Sequence, residues 1–376
     1  MSMIKRILLD TIKNVARSGK AIIILGSRQV GKTTLLNELT MDMPDKLALN
    51  GDEPDIRELL SNVNSERLIS LFAGKSLVII DEAQMIPDIG ITLKLITDRI
   101  PGIQLFVSGS SSLELANTIN EPLTGRKFEF HLHPLSLGEM ISHNGLQKEK
   151  RIIKHRLIFG YYPDVVTNPE NEVKLLKELA SSYLYKDILS FGFIRKPVVL
   201  DKLLRALALQ VGSEVSYNEL SQMVGIDKET VERYIDLLEK VFIIYRLNAL
   251  SRNVRNEIKK GKKIYFWDNG IRNSIIGNFL PWENRTDQGQ LWENFIITER
   301  IKHLSYKDFY GNLYFWRTSQ QQEIDLIEEK DGKFRVFEFK VNQRKSSKIP
   351  LTFSKAYPVE SFKTIHLDNI EEILKL

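Results

Sequence analysis

The chain of 376 residues has no cysteine, which excludes disulfide bridges and cysteine-ligated metal sites and suits a reducing compartment. Long hydrophobic runs are missing as well. No stretch of about 18 uncharged apolar residues occurs, so the pattern excludes a membrane-spanning helix. The opening Met1-Ser-Met-Ile-Lys-Arg6 leads into too short an apolar stretch for a secretory signal. A cytoplasmic location is therefore expected. There is no internal repeat and no low-complexity tract. Charge of one sign is not in large excess either: 53 Lys and Arg face 48 Asp and Glu, a net charge of +5, which permits a nucleic-acid partner without requiring one. What the chain does have is 43% apolar residues, enough for two or three compact domains with real cores.

The apolar run Ala21 to Leu25 is followed at once by Gly26-Ser27-Arg28-Gln29-Val30-Gly31-Lys32-Thr33-Thr34. This is the strand, glycine-rich loop and helix order of a phosphate cradle, in which backbone N–H groups converge on the phosphates. Lys32 adds a mobile point charge at the terminal phosphates, and Thr33 is placed to hold magnesium. The pattern alone also fits a plain turn before a helix, so a second half-site matters. Leu77-Val-Ile-Ile-Asp81-Glu82 supplies one: four consecutive apolar residues predict a strand buried on both faces, with two carboxylates at its carboxyl end. Asp81 is the expected magnesium partner, and Glu82 is the expected acid that orients or deprotonates the attacking water. A third strand, Ile103 to Val107, ends in Ser108-Gly-Ser110, where hydroxyls suit either a sensor of the terminal phosphate or an ordinary polar loop. Arg126, in Leu123-Thr-Gly-Arg126, is a guanidinium for transition-state charge, supplied from this subunit or from a neighbour. An ordinary surface arginine fits the sequence equally well.

The alternation of strands and helices gives way near residue 145 to helical patterning, which marks 1–145 as one domain and 146–195 as a helical connector. From Val198 the chain reads as helix, a short helix opened by Ser216-Tyr-Asn-Glu219, a turn at Gly225-Ile-Asp227, and a helix from Thr230 to Lys240. The strand Val241 to Leu247 follows. This is the order of a winged helix over 196–262. Lys228 and Arg233 on the third helix, with Arg252, Arg255, Lys259, Lys260, Lys262 and Lys263 in the loop after the strand, form a candidate DNA surface. A winged helix used only for protein packing is the competing reading.

In the last region, 263–376, Ile324-Asp325-Leu-Ile-Glu and Phe334-Arg-Val-Phe-Glu338-Phe-Lys340 read as two strands joined by a turn at Lys330-Asp-Gly332-Lys. Residues two apart on a strand share a face, so Glu338 and Lys340 point together. If Asp325 faces the same way, two carboxylates hold magnesium while Lys340 activates the water that cleaves a phosphodiester. Glu293, in the helix Leu291 to Ile297, is a further candidate acid. Alternating charge on a solvated hairpin is the bland alternative.

Taken in order, these motifs, together with Pro134-Leu-Ser, Tyr162-Pro-Asp, Tyr185-Lys-Asp-Ile, Asp268-Asn-Gly-Ile-Arg-Asn and Glu293-Asn-Phe, resemble the prokaryotic AAA-type ATPases that carry a DUF4143 carboxy-terminal domain. The resemblance spans nearly the whole chain. It implies an α/β P-loop NTPase sheet, a winged-helix-like middle and an end similar to the PD-(D/E)XK nuclease fold. Residues 26–34 are the candidate nucleotide contacts; position by position, the resemblance implies a nucleotide loop of Gly26, Gly31, Lys32 and Thr33, magnesium and catalytic-acid roles for Asp81 and Glu82, and a nuclease-like set of Glu293, Asp325, Glu338 and Lys340. No proline precedes Asp325, a departure from that signature at a position that performs no chemistry. ATP and magnesium are the implied ligands. The expected function is an ATPase whose nucleotide state switches later domains on DNA. A magnesium-dependent nuclease and an ATP-gated switch for a protein partner are the alternatives. A small-molecule kinase would not need the roughly 230 residues beyond the first domain.

Overall fold

Ala21–Leu25 forms β1, and none of its five apolar side chains reaches solvent. Each of Ile22, Ile23, Ile24 and Leu25 contributes about 1.5–3 kcal/mol by leaving water. The strand can be apolar throughout because both faces of its sheet are covered. The computed structural model of the chain describes residues 3–16, 18–43, 45–109, 123–182, 197–251, 261–343 and 348–375. They divide into two compact units, one of residues 2–134 with 240–242 and one of 135–239 with 243–376.

In the first unit, α1 (Leu8–Val15) precedes β1, and α2 (Lys32–Leu39) follows the glycine-rich loop. Next come β2 (Lys46–Asn50), α3 (Pro54–Leu60), α4 (Ser65–Leu71), β3 (Leu77–Asp81), α5 (Ile89–Arg99), β4 (Gln104–Gly109) and β5 (Lys127–His131). The sheet order is β2-β3-β4-β1-β5, and every pairing is parallel. This is the α/β P-loop sheet expected from the motifs. From β1 the chain crosses to the far edge, returns strand by strand to β4, then passes to the other side of β1 as β5. The carboxyl end of β1 is thus a topological switch point, where ligands settle in open α/β sheets.

The second unit begins with α6 (Leu137–Asn144), α7 (Leu146–Phe159), α8 (Pro163–Thr167), α9 (Glu172–Ser182) and α10 (Pro197–Leu209). Then come β6 (Glu214–Val215), α11 (Tyr217–Val224), α12 (Lys228–Lys240), β7 (Ile244–Ala249) and β8 (Lys262–Phe266). Ser216 and Asp227 cap α11 and α12 as their spacing predicted, and Val231, Ile235 and Leu238 face the core. This is the anticipated order of helix, short helix, helix and hairpin. After α13 (Asn269–Ile276), α14 (Gln288–Tyr306) leads into β9 (Asn312–Arg317), β10 (Glu323–Lys330) and β11 (Lys333–Phe339). The short α15 (Leu351–Ser354), β12 (Val359–Ile365) and a 3₁₀ helix, Leu367–Leu374, follow.

The strands of this unit form one mixed sheet, β12-β11-β10-β9-β7-β8-β6. Its hairpin turn at Asp331-Gly332 has positive φ at both residues, 52° and 73°, the backbone that a two-residue turn needs to match strand twist. Because β7 runs parallel to β9, the hairpin of the middle segment and the strands of the last segment share one sheet. The boundaries anticipated after residues 145 and 262 lie inside this unit, and the one after 195 lies outside the described residues. The longest helix among the described residues, α14, was legible only in part. Its buried residues, from Leu291 to Tyr306, surround the axis, so no single apolar stripe marks its length.

Candidate functional site

Two half-sites 48 residues apart meet at the carboxyl ends of β1 and β3. The Thr33 hydroxyl donates to Asp81 Oδ2 at 2.7 Å. The other carboxylate oxygen, Oδ1, accepts from the Glu82 N–H at 3.0 Å and from the hydroxyl of buried Ser108, at the end of β4. Ser108 thus fixes the orientation of Asp81. Ser110, the other hydroxyl of that loop, lies outside the described residues. A carboxylate and a hydroxyl, both hard oxygen donors and oriented by neighbours, fit magnesium.

The Lys32 ammonium rests on the carbonyl oxygens of Gly26 and Ser27, at 3.0 and 2.9 Å. Gly31 caps α2 with φ 94°, a left-handed conformation that favours glycine. At Gly26 a Cβ would lie 2.2 Å from the Leu132 carbonyl oxygen, so the loop stays against β5 only without a side chain. Gln29 also takes a positive φ, Arg28 is half-buried, and Thr34 is exposed on the first turn of α2.

Glu82 sits in a left-handed conformation, φ 48° and ψ 42°, which costs an L-residue about 1–2 kcal/mol. Its carboxylate is held by the Gln84 amide. Behind it, Gly51 donates to Asp81 O at 2.8 Å, and a Cβ on Gly51 would stand 2.3 Å from Glu82 O.

Sequence reasoning missed Arg6. Its guanidinium is buried, with Nη1 on Val30 O and Nη2 on His133 O, both at 2.6 Å. It ties the glycine-rich loop to the end of the first unit from 127 residues away in sequence, and no local spacing signals such a contact.

Arg126 stands elsewhere. It precedes β5, its carbonyl accepts from Ala21 N at the start of β1, and its Nε pairs with Asp98 at 2.6 Å. The glycine-rich loop follows the other end of β1, five residues away, about 16 Å at strand rise. A role for Arg126 on its own subunit's phosphates is corrected by this placement.

In the second unit the Leu326–Phe337 pairing carries Asp325 beside Glu338, as the hairpin reading required. Asp325 is buried, and its Oδ2 accepts from Phe339 N at 2.8 Å. Burial raises the Asp325 pKa well above the ordinary carboxylate range, and the charges of Glu293 and Glu338 push it further the same way. Burial also raises that of Glu338, although Lys340 Nζ at 2.8 Å opposes the shift.

Glu293 is engaged differently from expectation. Its Oε1 accepts from Lys263 Nζ at 2.9 Å and from Tyr265 OH at 2.6 Å. Lys263 Nζ also pairs with Glu323 Oε1 at 2.7 Å. Among the described residues, no three or more acidic or histidine side chains converge to hold a metal ion.

Lys263 is the clearest correction. Expected in a basic loop on phosphate, it is the second residue of β8 and 2% exposed. It shares a strand face with Tyr265, and both reach Glu293. Burial disfavours its charge, but Glu293, Glu323 and Asp325 together raise its pKa above the usual lysine value. Lys228 and Arg233 are exposed on α12 and Lys262 is half-buried, whereas Arg252, Arg255, Lys259 and Lys260 lie outside the described residues. A cleft of about 690 Å³ beside α12 is lined by Glu214, Glu219 and Glu232 as well as by Lys228 and Lys262. Its charge is mixed.

Comparison with known proteins agrees with the motifs. Residues 18–141 match an AAA domain, 150–281 a domain of unknown function, DUF8612, and 288–371 another, DUF4143. An uncharacterized protein of Mycobacterium tuberculosis is 25% identical over 335 residues, covering 88% of this chain and 72% of its own length. One from Methanocaldococcus jannaschii is 22% identical over 373 residues, covering 93% of this chain and 80% of its own length. Among solved structures, a Walker-type ATPase of Pyrococcus abyssi aligns with a TM-score of 0.49 and 15% identity, over 73% of this chain and 96% of that one.

Proposed function

Because the chain belongs to the prokaryotic AAA-type ATPases that carry a DUF4143 domain, we propose that it hydrolyses ATP at residues 26–34, 81 and 82. In this reading the nucleotide state switches the second unit on DNA. The observation that carries the ATPase part is the 2.7 Å hydrogen bond between Thr33 and Asp81. It joins the phosphate loop to the acidic strand end and leaves Glu82 as the next residue.

ATP binding exchanges the carbonyl partners of Lys32 for phosphate oxygens, so that both donor and acceptor are charged and the contact is stronger. Thr33 and Asp81 are the residues that would hold magnesium, which supplies charge neutralisation at the phosphates. Glu82, positioned by Gln84 and by its strained backbone, takes the proton of the attacking water.

The switching part is supported by how residues 133–137 are held. His133 O is gripped by Arg6, which also grips the loop at Val30. Two residues on, Leu135 O accepts from Lys302 Nζ at 3.0 Å, and the Leu137 N–H donates to Glu299. Glu299 and Lys302 are buried and paired at 2.8 Å on α14, the helix that also carries Glu293.

The test is ATP turnover by the whole chain, read beside DNA binding across a salt series. Lys32→Ala is expected to abolish turnover. Glu82→Gln should keep ATP binding and lower turnover by about 10²–10⁴-fold, the usual contribution of a positioned base. Unchanged turnover in Glu82→Gln would sink the assignment. DNA affinity that falls with salt and differs between ATP and ADP supports the DNA reading. Its absence favours a protein partner, a reading that the mixed charge beside α12 also supports.

A further inference from the structure

The carboxylates of the second unit and the magnesium implied by the nuclease-like signature do not fit one another as the residues stand. Glu293, which should complete a metal site with Asp325 and Glu338, is turned onto Lys263 and Tyr265. Glu323, one strand position before Ile324, is turned onto the same lysine. We propose that Lys263 is the cation of this centre, a lysine tethered on β8 that holds Glu293 and Glu323 in the place of a divalent ion.

Several independent features carry this. The ammonium is 2% exposed yet reaches two carboxylates at 2.9 and 2.7 Å, so it was removed from water for these partners. It also stands 5.4 Å from the centre of the Phe315 ring, a favourable cation–π distance. The Tyr265 hydroxyl, two residues along on the same face, occupies Glu293 as well. Lys340 neutralises Glu338 from the other side. A divalent ion would have to displace an ammonium that is always present at high effective concentration, and would meet its charge on the way.

Lys263 lies within the span matched by DUF8612, whereas Glu293, Glu323, Asp325 and Glu338 lie within DUF4143. The centre is therefore completed by the preceding domain. Its resting form is a closed, metal-free lock, and access for a metal ion requires β8 to release its lysine.

The inference rests on the nuclease-like reading only for which ion would be expected, and its test uses no DNA and no nucleotide. Binding of Mn²⁺ to the full chain is measured by electron paramagnetic resonance for the wild type and Asp325→Asn. Thermal unfolding is followed in EDTA and in millimolar Mn²⁺ for the wild type and Lys263→Gln. The wild type and Asp325→Asn are expected to bind the same amount of Mn²⁺, and the wild-type Tm to be the same with and without the ion. Lys263→Gln should unfold at lower temperature in EDTA and recover with Mn²⁺, but not with KCl of equal ionic strength. An ion bound by the wild type and lost in Asp325→Asn overturns the proposal, as does a folded Lys263→Gln that ignores Mn²⁺. If Lys263→Gln does not fold, the resonance comparison decides alone. DNA cleavage, scored separately, bears on the nuclease reading and leaves the ion count untouched.

Discussion

At the scale of single residues, the proposed nucleotide site depends on positions where nothing larger fits. Gly51→Ala would push a methyl group to 2.3 Å from the Glu82 carbonyl, and backbone cannot retreat there as a flexible side chain could. The expected cost is about 1–3 kcal/mol of overpacking, with a loss of ATP turnover because Glu82 is the residue displaced. Urea unfolding and turnover measured together check this, and a variant with wild-type values in both would contradict it. His303 gives a pH prediction. Burial, then Arg300 and Lys307, lower its pKa from 6.5 to about 4, and its Nε2 is buried without a hydrogen-bond partner among the described residues. The folded state prefers the neutral ring, so its contribution is fully present above pH 6.5 and is lost as pH falls towards 4. His303→Leu should show a smaller drop in Tm than the wild type over that window. Equal drops would remove His303 as the cause.

Residues 26–34, 81 and 82 could be read from the sequence as a candidate site because their chemistry is contiguous and adjoins an apolar run. Arg6 and Gly51 were not, since their roles are contacts across 127 and 31 residues with no local pattern. Arg126 was legible as a motif but not as a place, because only strand pairing reveals which end of the sheet it occupies. Lys263 was misread because it follows basic loop residues, although its spacing of two from Tyr265 already put both on one strand face.

At the scale of elements, α14 holds the second unit together and is also the least regular in pattern. Its Arg300 is buried and forks onto Glu328, with Nε and Nη2 on the two carboxylate oxygens at 2.5 and 2.9 Å. The third nitrogen, Nη1, reaches Ile373 O and Lys375 O at 2.6 and 2.8 Å. Removing one member of a buried pair strands the other charge, so Arg300→Met should cost about 3–5 kcal/mol. Arg300→Met with Glu328→Leu should regain part of that, short of the two carbonyl bonds at about 1 kcal/mol each. Chemical denaturation of the wild type and the two variants checks the order, and a double variant less stable than the single one would contradict it. The Asp268-Asn-Gly-Ile-Arg-Asn motif belongs to this scale too. Asp268 caps α13 and accepts from Tyr161 N, while Asn269 and Asn273 donate to the carbonyls of Leu157 and Ile158 on α7. These residues assemble helices and touch no candidate ligand.

At the scale of the whole molecule, the sequence pattern indicated four segments, whereas contacts group the chain into two units. The difference arises from β7 pairing with β9 and from α7 being tied to Asn269 and Asn273 at α13, long-range contacts that no local signal announces. In the proposed switch residues 133–137 carry the signal, held as they are by Arg6 on one side and by Lys302 and Glu299 on the other. Hydrogen–deuterium exchange of Glu82→Gln, with and without ATP and magnesium, tests this most directly. The prediction is altered protection of residues 26–34 together with altered protection of α6 and α14. Protection confined to residues 26–34, with α6 and α14 unchanged, would contradict the account.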